Sequence, residues 1–342
     1  MERTHPWPTV SVVIPVRDGA AHLQDAIRSA LGQEYPGSIE IVVADGGSTD
    51  GSLEIARDMA SEASRVAVVA NRRGTTPAGL NVAIAASRGE VVVRCDAQAA
   101  LPSGYVRRAV EILEETGADV VGGVQAASGV SAMQRAIAVA MTTPLGAGGS
   151  KFRRGGAPGP ADTVYLGVFR RRALERVGLF DEAMVRNQDY ELNHRIRTSG
   201  GEVFFHPDLR VPYRARATLG GLWRQYLDYG IWKWKMLRRH PGAVRARQLA
   251  PPMLVFGLFA SAVLVAATPW RRFGLVVPAA YGAVLLATAA VEAGRRRDPA
   301  VLLTPAAMVT MHVAWGVGFL LSRGSAPAED IPLLPGPEKA GP

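Results

Sequence analysis

Short runs of valine and isoleucine alternate with longer mixed segments along the first part of the chain. The apolar runs predict strands at 9–17, 39–47, 66–70, 90–95 and 118–124. The segments between them are long enough for helices at 20–33, 52–64, 77–87 and 103–116. Continuous β-branched strands that alternate with helices are typical of a mainly parallel sheet covered on both faces. We therefore predict a doubly wound α/β domain.

The character of the sequence changes after residue 215. Residues 219–248 mix Trp, Tyr and Leu with many Arg and Lys. Such a mixture favours an amphipathic helix at a membrane surface, with aromatic rings at the lipid headgroups and cations toward anionic lipid. Nucleic-acid binding is the alternative explanation for this basic segment.

Three apolar runs follow the basic segment, at 250–269, 274–293 and 300–321. Each has about twenty residues, which is the length that the hydrocarbon core of a bilayer requires. Buried core helices are the alternative, but the runs follow an α/β domain that is already complete. We therefore predict three transmembrane helices, membrane lipids as partners and no nucleic acid.

Charges near the apolar runs predict their orientation. The basic residues at 219–248 and in "GRRRD" (294–298) place both segments on the cytoplasmic side, and the acidic tail outside. Arg271 and Arg272 would then face outward, which conflicts mildly with this topology. The predicted organisation is an α/β domain at 9–215, an interfacial segment at 216–249, a membrane domain at 250–321 and a disordered tail at 322–342.

The composition agrees with a membrane-attached protein. Of the 342 residues, 48% are hydrophobic, and the mean hydropathy is +0.09. The net charge of +9 fits nucleic acid, an anionic membrane surface or a phosphate-bearing substrate equally well, so the position of the charges must decide. Cys95 is the only cysteine, which excludes an intrachain disulfide or a cysteine cluster and favours a cytoplasmic catalytic domain. Together with the three apolar runs, this predicts a multi-pass protein of the cell (inner) membrane whose catalytic domain faces the cytoplasm.

Two acidic residues lie at the carboxyl ends of predicted strands, at the sheet edge where open α/β folds place ligand chemistry. In "VVADGGSTDGS" (42–52), Asp45 precedes two glycines and residues that can cap the next helix. This is either a tight turn with a cap or a carboxylate that accepts hydrogen bonds from a nucleotide base or ribose. Asp96 ends "EVVVRCD", and the neutral Gln98 stands where a second hard oxygen ligand for a metal would be useful.

Several segments in order resemble family 2 glycosyltransferases, which have the nucleotide-sugar-binding GT-A fold. "VSVVIPVRDG" and "ADGGSTDGS" resemble the N-terminal signature of that family. "TTPAGLNVAIAASRGEVVVRCDAQAALPSGYV" resembles the segment that leads to its metal-binding DXD element. Residues 162–230 look like the acceptor half of the succinoglycan-biosynthesis-type branch of bacterial exopolysaccharide glucosyltransferases. The similarity covers roughly 9–240 together with the membrane tail.

The resemblance assigns roles to matching residues on the donor side. It implies that the nucleotide pocket is lined by Pro15, Arg17 and Asp45. Arg73 and Asn81 would lie near the pyrophosphate or the base. Asp96 would be the first DXD position, touching the ribose and the metal-diphosphate. The implied cofactor is Mg²⁺ or Mn²⁺, with most oxygen ligands supplied by the donor's own phosphates. Gln98 would be a weak metal ligand, and His206 in "FFHPD" is a further candidate that could equally have a structural or surface role.

The resemblance also implies the catalytic base. In "NQDYELNHR", Asp189 matches the second acid of the Glu-Asp pair that deprotonates the acceptor in inverting enzymes, and Gln188 replaces the first acid. Leu192 and Ile196 have the spacing to pack inward while Asp189 stays in the first helical turn, where an acid is stabilised by about 0.3–1 kcal/mol. Simple helix capping is the alternative role for Asp189.

Two further groups are candidates for contacts with the acceptor or a diphosphate. The segment 141–162 is rich in Gly and Pro, and it carries Lys151, Arg153 and Arg154, which could close over an anionic lipid diphosphate or the donor, or lie in a solvated loop. In "WRQYLDYG", Trp223, Arg224 and Gln225 occupy the place of a Gln-x-x-Arg-Trp element in processive relatives, but in another order. Anchoring at the membrane interface is the alternative role for them.

The sequence therefore predicts a membrane-anchored, inverting, metal-dependent hexosyltransferase. It would move a hexose from a nucleotide-diphosphate sugar to a lipid-linked saccharide in exopolysaccharide or cell-envelope glycan synthesis. Transfer directly to polyprenyl phosphate is one alternative. A catalytically decayed nucleotide-binding membrane scaffold is another, since Gln98 and Gln188 depart from the family pattern.

Overall fold

A computed structural model describes residues 6–243 and 245–322 of the chain. The described residues form two compact units. The sheet unit comprises the chain up to Ala126 together with Ser150–Tyr213, and the helical unit comprises Ala127–Gly149 and the chain from Arg214 onward. Sequence reasoning places 127–149 inside a continuous first domain, whereas the structure groups it with the C-terminal helices. The predicted disordered tail lies outside the described residues apart from Ser322.

The predicted strands and helices of the sheet unit are all present, with shifts of a few residues at their ends. The first nine elements are β1 (Val10–Val16), α1 (Ala20–Leu31), β2 (Ile39–Asp45), α2 (Ser52–Glu62), β3 (Val66–Ala70), α3 (Thr76–Ala86), β4 (Val91–Arg94), α4 (Tyr105–Thr116) and β5 (Val120–Ser128). The next nine elements are α5 (Ala132–Thr142), α6 (Pro144–Ala147), α7 (Lys151–Arg154), β6 (Gly159–Pro160), β7 (Tyr165–Arg170), α8 (Arg171–Val177), α9 (Gln188–Thr198), β8 (Val203–Arg214) and α10 (Leu219–Arg239). Of these, α5, α6 and α10 belong to the helical unit.

One sheet organises this unit. Among the described residues it has eight strands in the order β3-β2-β1-β4-β7-β5-β8-β6. The strands β3, β2, β1 and β4 are parallel, as predicted, whereas β7 is antiparallel to both β4 and β5. The carboxyl ends of the four parallel strands therefore meet at one edge of the sheet. Because Val93 pairs with Val168, the beginning of antiparallel β7 comes to that same edge.

Alternate strand residues fill the two faces of the sheet. Val12 and Ile14 belong to one buried cluster together with Leu23 of α1, whereas Val13 belongs to a second cluster together with Leu80 of α3. Successive side chains of a strand point to opposite faces, and both faces of this sheet are covered. The strand sequences are therefore apolar throughout. Each such side chain contributes about 1.5–3 kcal/mol of burial free energy, so the ends of these strands form a rigid platform.

The helical unit contains the three predicted apolar helices, α11 (Ala250–Ala267), α13 (Val276–Arg296) and α14 (Thr304–Leu321), with the short α12 (Arg271–Gly274) between the first two. By length and composition, three helical stretches of the described chain could cross a membrane: Ala246–Ala267, Arg271–Arg296 and Pro299–Leu321. The predicted amphipathic helix forms as α10 but ends at Arg239, and 3₁₀ turns follow it.

Segment 127–149 joins this unit through specific contacts. In α5, the guanidinium Nε of Arg135 donates to the Asp298 carboxylate at 2.8 Å. In α6, the carbonyl oxygen of Leu145 lies 3.2 Å from the ring Nε2 of His312. His312 lies in α14, and Asp298 directly precedes the 3₁₀ turn (Pro299–Leu303) that leads into α14. The segment 127–149 is therefore held to the last helix of this unit and to the residues just before it.

Close helix packing around α14 depends on glycines at the helix contacts. A Cβ atom at Gly318 would lie 2.2 Å from the backbone oxygen of Leu227 in α10, and one at Gly230 would lie 2.1 Å from the backbone oxygen of Trp315. A Cβ atom at Gly316 would lie 2.5 Å from the backbone oxygen of Pro251. Real Cβ atoms do not approach backbone this closely, so α10 and α11 contact α14 directly through its glycines. Small residues at such crossings are typical of membrane helix pairs.

We therefore expect Gly318→Ala to force α10 and α14 apart and to destabilise the protein by about 1–3 kcal/mol, as overpacking does. Gly282→Ala is the matched control, because a Cβ atom at this α13 glycine meets nothing within 4 Å. The control should leave stability unchanged or raise it by up to about 1 kcal/mol through helix propensity. Thermal unfolding of the detergent-extracted variants measures both, and equal melting temperatures would contradict the close packing.

Candidate active site

Asp45, the last residue of β2, has one satisfied and one unsatisfied carboxylate oxygen. Its Oδ2 accepts hydrogen bonds from the backbone N–H groups of Gly47 at 3.0 Å and Ser48 at 3.2 Å. Its Oδ1 is buried and has no hydrogen-bond partner among the described residues, and the whole residue is only 6% exposed. A buried carboxylate oxygen without a donor is costly. It is therefore suited to accept a hydrogen bond from a bound ligand.

The loops around Asp45 bring the ends of neighbouring strands together. A Cβ atom at Gly46 would lie 3.2 Å from both the Arg17 side chain and the backbone of Gly74. A Cβ atom at Gly74 would lie 2.8 Å from the guanidinium of Arg17. Exposed Arg17 thus lies across the loop that follows β3, close to Asp45. Pro15 remains within β1, where it pairs in register with Ala44.

Arg73 and Asn81 both contact the segment that precedes α9. Arg73 pairs with Glu182 at 2.6 Å, although its side chain is 74% exposed. The amide of Asn81 donates to the backbone oxygen of Phe180 at 2.8 Å and to Glu182 at 3.0 Å, and it accepts from the Phe180 N–H at 2.9 Å. The structure therefore gives Asn81 a clear structural role, and the contact of either residue with the donor stays a prediction.

A buried arginine joins the two other predicted acids. Arg94, the last residue of β4, is 5% exposed, and its Nε donates to Oδ1 of Asp96 at 2.8 Å. Its Nη1 donates to Oδ1 of Asp189, in the first turn of α9. The structure therefore brings Asp96 and Asp189 to one guanidinium, although these two acids are 93 positions apart in sequence. Both carboxylates remain partly open to solvent, with side-chain exposures of 20% and 30%.

Opposing effects act on the ionisation of these groups. Burial raises the pKa of the Asp189 carboxyl and Arg94 lowers it, but Asp96 raises it further, so the net direction is upward. Burial alone would lower the pKa of Arg94, but the charges of Asp189 and Asp96 outweigh it, so Arg94 stays charged. A carboxylate with a raised pKa is a stronger base, which suits proton abstraction from a hydroxyl group.

Sequence reasoning missed Arg94 and the beginning of β7. A charge at the end of a continuous apolar strand must find a partner when it is buried, and this was the available signal for Arg94. Tyr165 starts β7 at the same sheet edge, and its ring packs edge-on against Tyr213 at 6.4 Å. Burial raises the pKa of the Tyr165 hydroxyl, and the neighbouring Asp96 raises it further. No sequence pattern marks this tyrosine, because it arrives through an antiparallel strand.

The other two predicted metal ligands, Gln98 and His206, do not form a preformed metal site with Asp96. Gln98 is exposed, and the ring Nδ1 of His206 accepts from the backbone N–H of Asp208 at 3.2 Å. Across the described part of the chain, no group of three or more His, Cys, Asp or Glu side chains could hold a metal ion. Asp96 therefore fits a divalent cation only when other oxygen ligands accompany it. Buried Cys95 adds no ligand, since burial raises the pKa of its thiol.

The predicted acceptor contacts fall in both units. In the sheet unit, Lys151, Arg153 and Arg154 form the single turn α7, and the Lys151 ammonium donates to the backbone oxygen of Pro160 at 3.1 Å. In the helical unit, Trp223, Arg224 and Gln225 occupy α10; Trp223 is 37% exposed, and Gln225 donates to the Tyr229 hydroxyl at 3.1 Å. Their roles toward an acceptor stay predictions.

Comparison with known proteins identifies the family of this chain. Residues 11–178 match the family described as "Glycosyl transferase family 2". The chain is 33% identical over 311 residues to the succinoglycan biosynthesis protein ExoA of Rhizobium meliloti (strain 1021), covering 90% of this chain and 93% of that protein. It is 35% identical over 137 residues to the undecaprenyl-phosphate 4-deoxy-4-formamido-L-arabinose transferase of Pseudomonas aeruginosa (strain LESB58), covering 39% of this chain and 40% of that protein.

A solved structure supports the fold. The mannosyltransferase PcManGT from Pyrobaculum calidifontis, in complex with GDP-Man and Mn²⁺, superposes with a TM-score of 0.57 at 22% identity, covering 91% of this chain and 90% of that chain. This likeness confirms the predicted GT-A-like α/β fold. The family match and the nearly full-length relative together confirm the resemblance seen in the sequence. The chain belongs to the family 2 glycosyltransferases.

Proposed function

We propose that this protein is a membrane-anchored, inverting glycosyltransferase of exopolysaccharide or cell-envelope glycan synthesis. It moves a hexose from a nucleotide-diphosphate sugar to a lipid-linked saccharide at the cytoplasmic face of the cell membrane. The observation that carries this proposal is the Arg94 clasp, defined as Arg94 with Asp96 and Asp189. It holds Asp96, the carboxylate that we assign to the donor side, beside Asp189, the carboxylate that we assign to the acceptor side.

The donor occupies the carboxyl edge of the parallel strands. The unpartnered Oδ1 of Asp45 accepts a hydrogen bond from the nucleotide base or ribose, and Arg17 lies nearby to meet negative charge. Asp96 faces the ribose and diphosphate. This placement follows the general rule that open α/β sheets bind ligands outside the carboxyl ends of their strands.

Asp189 acts as the general base in this proposal. Its Oδ2 accepts the proton of the acceptor hydroxyl as that oxygen attacks the anomeric carbon, and the nucleoside diphosphate leaves from the opposite face of the sugar. The attack forms a new glycosidic bond with inverted configuration. The upward direction of the Asp189 pKa supports this role, as does its position in the first turn of α9.

A divalent cation fits the site at Asp96, with Gln98 as a weak additional ligand. When bound, Mg²⁺ or Mn²⁺ would neutralise charge on the departing nucleoside diphosphate. The protein offers too few ligands to hold the ion alone, as the absence of a three-residue ligand cluster in the described chain indicates. The donor's phosphates and water would supply the remaining oxygen ligands. A tight metal site in the protein without nucleotide is not expected.

The acceptor is brought from the membrane. Exposed apolar residues such as Phe256 and Phe259 of α11 and Leu286 of α13 provide a surface that suits lipid. The ExoA relative, whose name assigns it to succinoglycan biosynthesis, matches 90% of this chain and favours a saccharide acceptor. Direct transfer to polyprenyl phosphate is the second candidate, supported by the undecaprenyl-phosphate transferase that matches 39% of the chain. Intact Asp45, Asp96 and Asp189 count against a decayed scaffold.

The proposed function is tested by incubating the detergent-extracted protein with a panel of nucleotide sugars and with lipid acceptors extracted from membranes. Mass spectrometry of the lipid fraction identifies the product. A mass increase of one hexose on a lipid-linked saccharide supports the proposal, and an increase on polyprenyl phosphate supports the second candidate. Failure to bind any nucleoside diphosphate in the presence of metal would refute the enzyme assignment.

We expect Asp189→Asn to reduce transfer by a factor of about 10²–10⁴, the usual contribution of general base catalysis. Binding of the nucleoside diphosphate should stay within a few-fold of the wild-type affinity, because Asp189 contacts the acceptor side. Asp58→Asn, at an exposed position in α2, is the matched control and should transfer normally. Transfer assays and calorimetric titration measure the two effects, and native turnover in Asp189→Asn would show that another group is the base.

We expect the protein to retain little Mn²⁺ after dialysis, because its described residues hold no cluster of three ligand side chains. Addition of a nucleoside diphosphate should produce stoichiometric Mn²⁺ binding, which Asp96→Asn should weaken by at least about tenfold, as loss of a charged contact predicts. Electron paramagnetic resonance of free Mn²⁺ follows both steps. Stoichiometric metal in the dialysed protein would contradict this site.

A further inference from the structure

We propose that Arg94 is a positioning residue that fixes the base Asp189 and the donor-side Asp96 as one rigid unit. This inference rests on the proposed function, since it assigns Arg94 a part in the same transfer reaction. Arg94 contacts neither the donor nor the acceptor in this proposal. It acts through the two carboxylates that do.

The position of Arg94 explains why it can hold both acids. As the last residue of β4, its backbone is fixed between β1 and β7, and Val13 is its partner in β1. Its side chain is only 6% exposed, so the guanidinium has no freedom to leave for solvent. Nε and Nη1 point at different carboxylates, one two residues ahead in sequence and the other 95 residues ahead.

The bonding pattern leaves one oxygen of each acid available. Arg94 donates to Oδ1 of Asp96 and to Oδ1 of Asp189. Within residues 6–243 and 245–322, no hydrogen bond is made to the Oδ2 of either acid, and neither Oδ2 is a buried unsatisfied atom. Each Oδ2 can therefore meet a ligand, one on the donor side and one on the acceptor side. The guanidinium thereby sets the direction in which each free oxygen points.

The chemistry of arginine matters here. Its planar guanidinium carries donors in a rigid fork and stays charged when buried, whereas a lysine ammonium is a point charge on a flexible stem. Two carboxylates close together repel each other unless a cation lies between them. Arg94 supplies that cation and also a fixed angle between the two acids. A lysine could keep the charge but would not reproduce the angle.

The test uses Arg94→Lys and Arg94→Gln in the full-length, detergent-extracted protein. We expect Arg94→Lys to fold and to bind the nucleoside diphosphate with Mn²⁺, because it retains the positive charge. Its kcat should fall by about 10–100-fold, the usual effect of losing a residue that orients a functional ligand. Arg94→Gln should lose at least as much kcat and also bind donor and Mn²⁺ more weakly. The KM for the acceptor should change much less than kcat in Arg94→Lys.

A matched control separates positioning from general stability. Arg176 pairs with Asp119 at 2.7 Å, and the main-chain oxygen of Asp119 accepts from Arg170 at the far end of β7. Arg176→Gln therefore removes an arginine–aspartate pair outside the site and should keep the wild-type kcat. If Arg94→Gln does not fold, Arg94→Lys alone decides the question, with kcat expressed per donor-binding site.

The outcomes are distinct. A wild-type kcat in Arg94→Lys would overturn the positioning role, because the rigid fork would then be unnecessary. Combining Arg94→Lys with Asp189→Asn should cost little beyond Asp189→Asn, since both changes disable the same unit. Full additivity of the two losses would also overturn the inference. A wild-type protein that transfers no sugar would refute the proposed function instead.

Discussion

The ion pairs of the Arg94 clasp are the interaction on which the site depends. A charge in the interior of a protein is costly unless hydrogen bonds and an opposite charge compensate it. Arg94 therefore draws Asp189 onto the end of β4 and holds Asp96 at the same place. The clasp ties the beginning of α9 to the sheet. In consequence, one guanidinium fixes the beginning of α9 relative to the end of β4.

The sheet supplies the rigidity that this registration requires. Its buried strands β1, β2 and β4 end side by side, so Asp45 and Asp96 lie at the edge of a sheet with a buried apolar core. The antiparallel strand β7 pairs with the edge of β4 that faces away from β1, and it brings Tyr165 next to the end of β4. The helical unit follows a different principle, in which α14 packs through its glycines against α10 and α11. That unit leaves apolar side chains of α11 and α13 exposed, as a lipid-facing surface requires.

Short segments of the sequence predict much of this organisation. Runs of valine and isoleucine favour strands buried on both faces, and each mixed segment between them has helical length, so the α/β alternation follows from the sequence. The resemblance to the GT-A fold rests on the motifs that the sequence carries in order. Asp45 and Asp96 are identifiable because each lies at the end of a strand that the sequence predicts, whereas Asp189 is identified through the family resemblance of "NQDYELNHR". The apolar composition of 250–321 likewise predicts three helices of membrane-spanning length without reference to the fold.

Other features depend on contacts between distant positions, which local patterns do not encode. The partners of Arg94 include a residue 95 positions away, so only the folded chain shows that a strand-end arginine joins two site acids. The antiparallel entry of β7 is decided by sheet pairing, and the grouping of 127–149 with the C-terminal helices by its contacts to Asp298 and His312. The sequence by itself thus determined the α/β alternation, the family resemblance and the three acids that we propose for the chemistry. The tertiary structure alone decided how they are held, because a buried charge selects its partners by proximity in space.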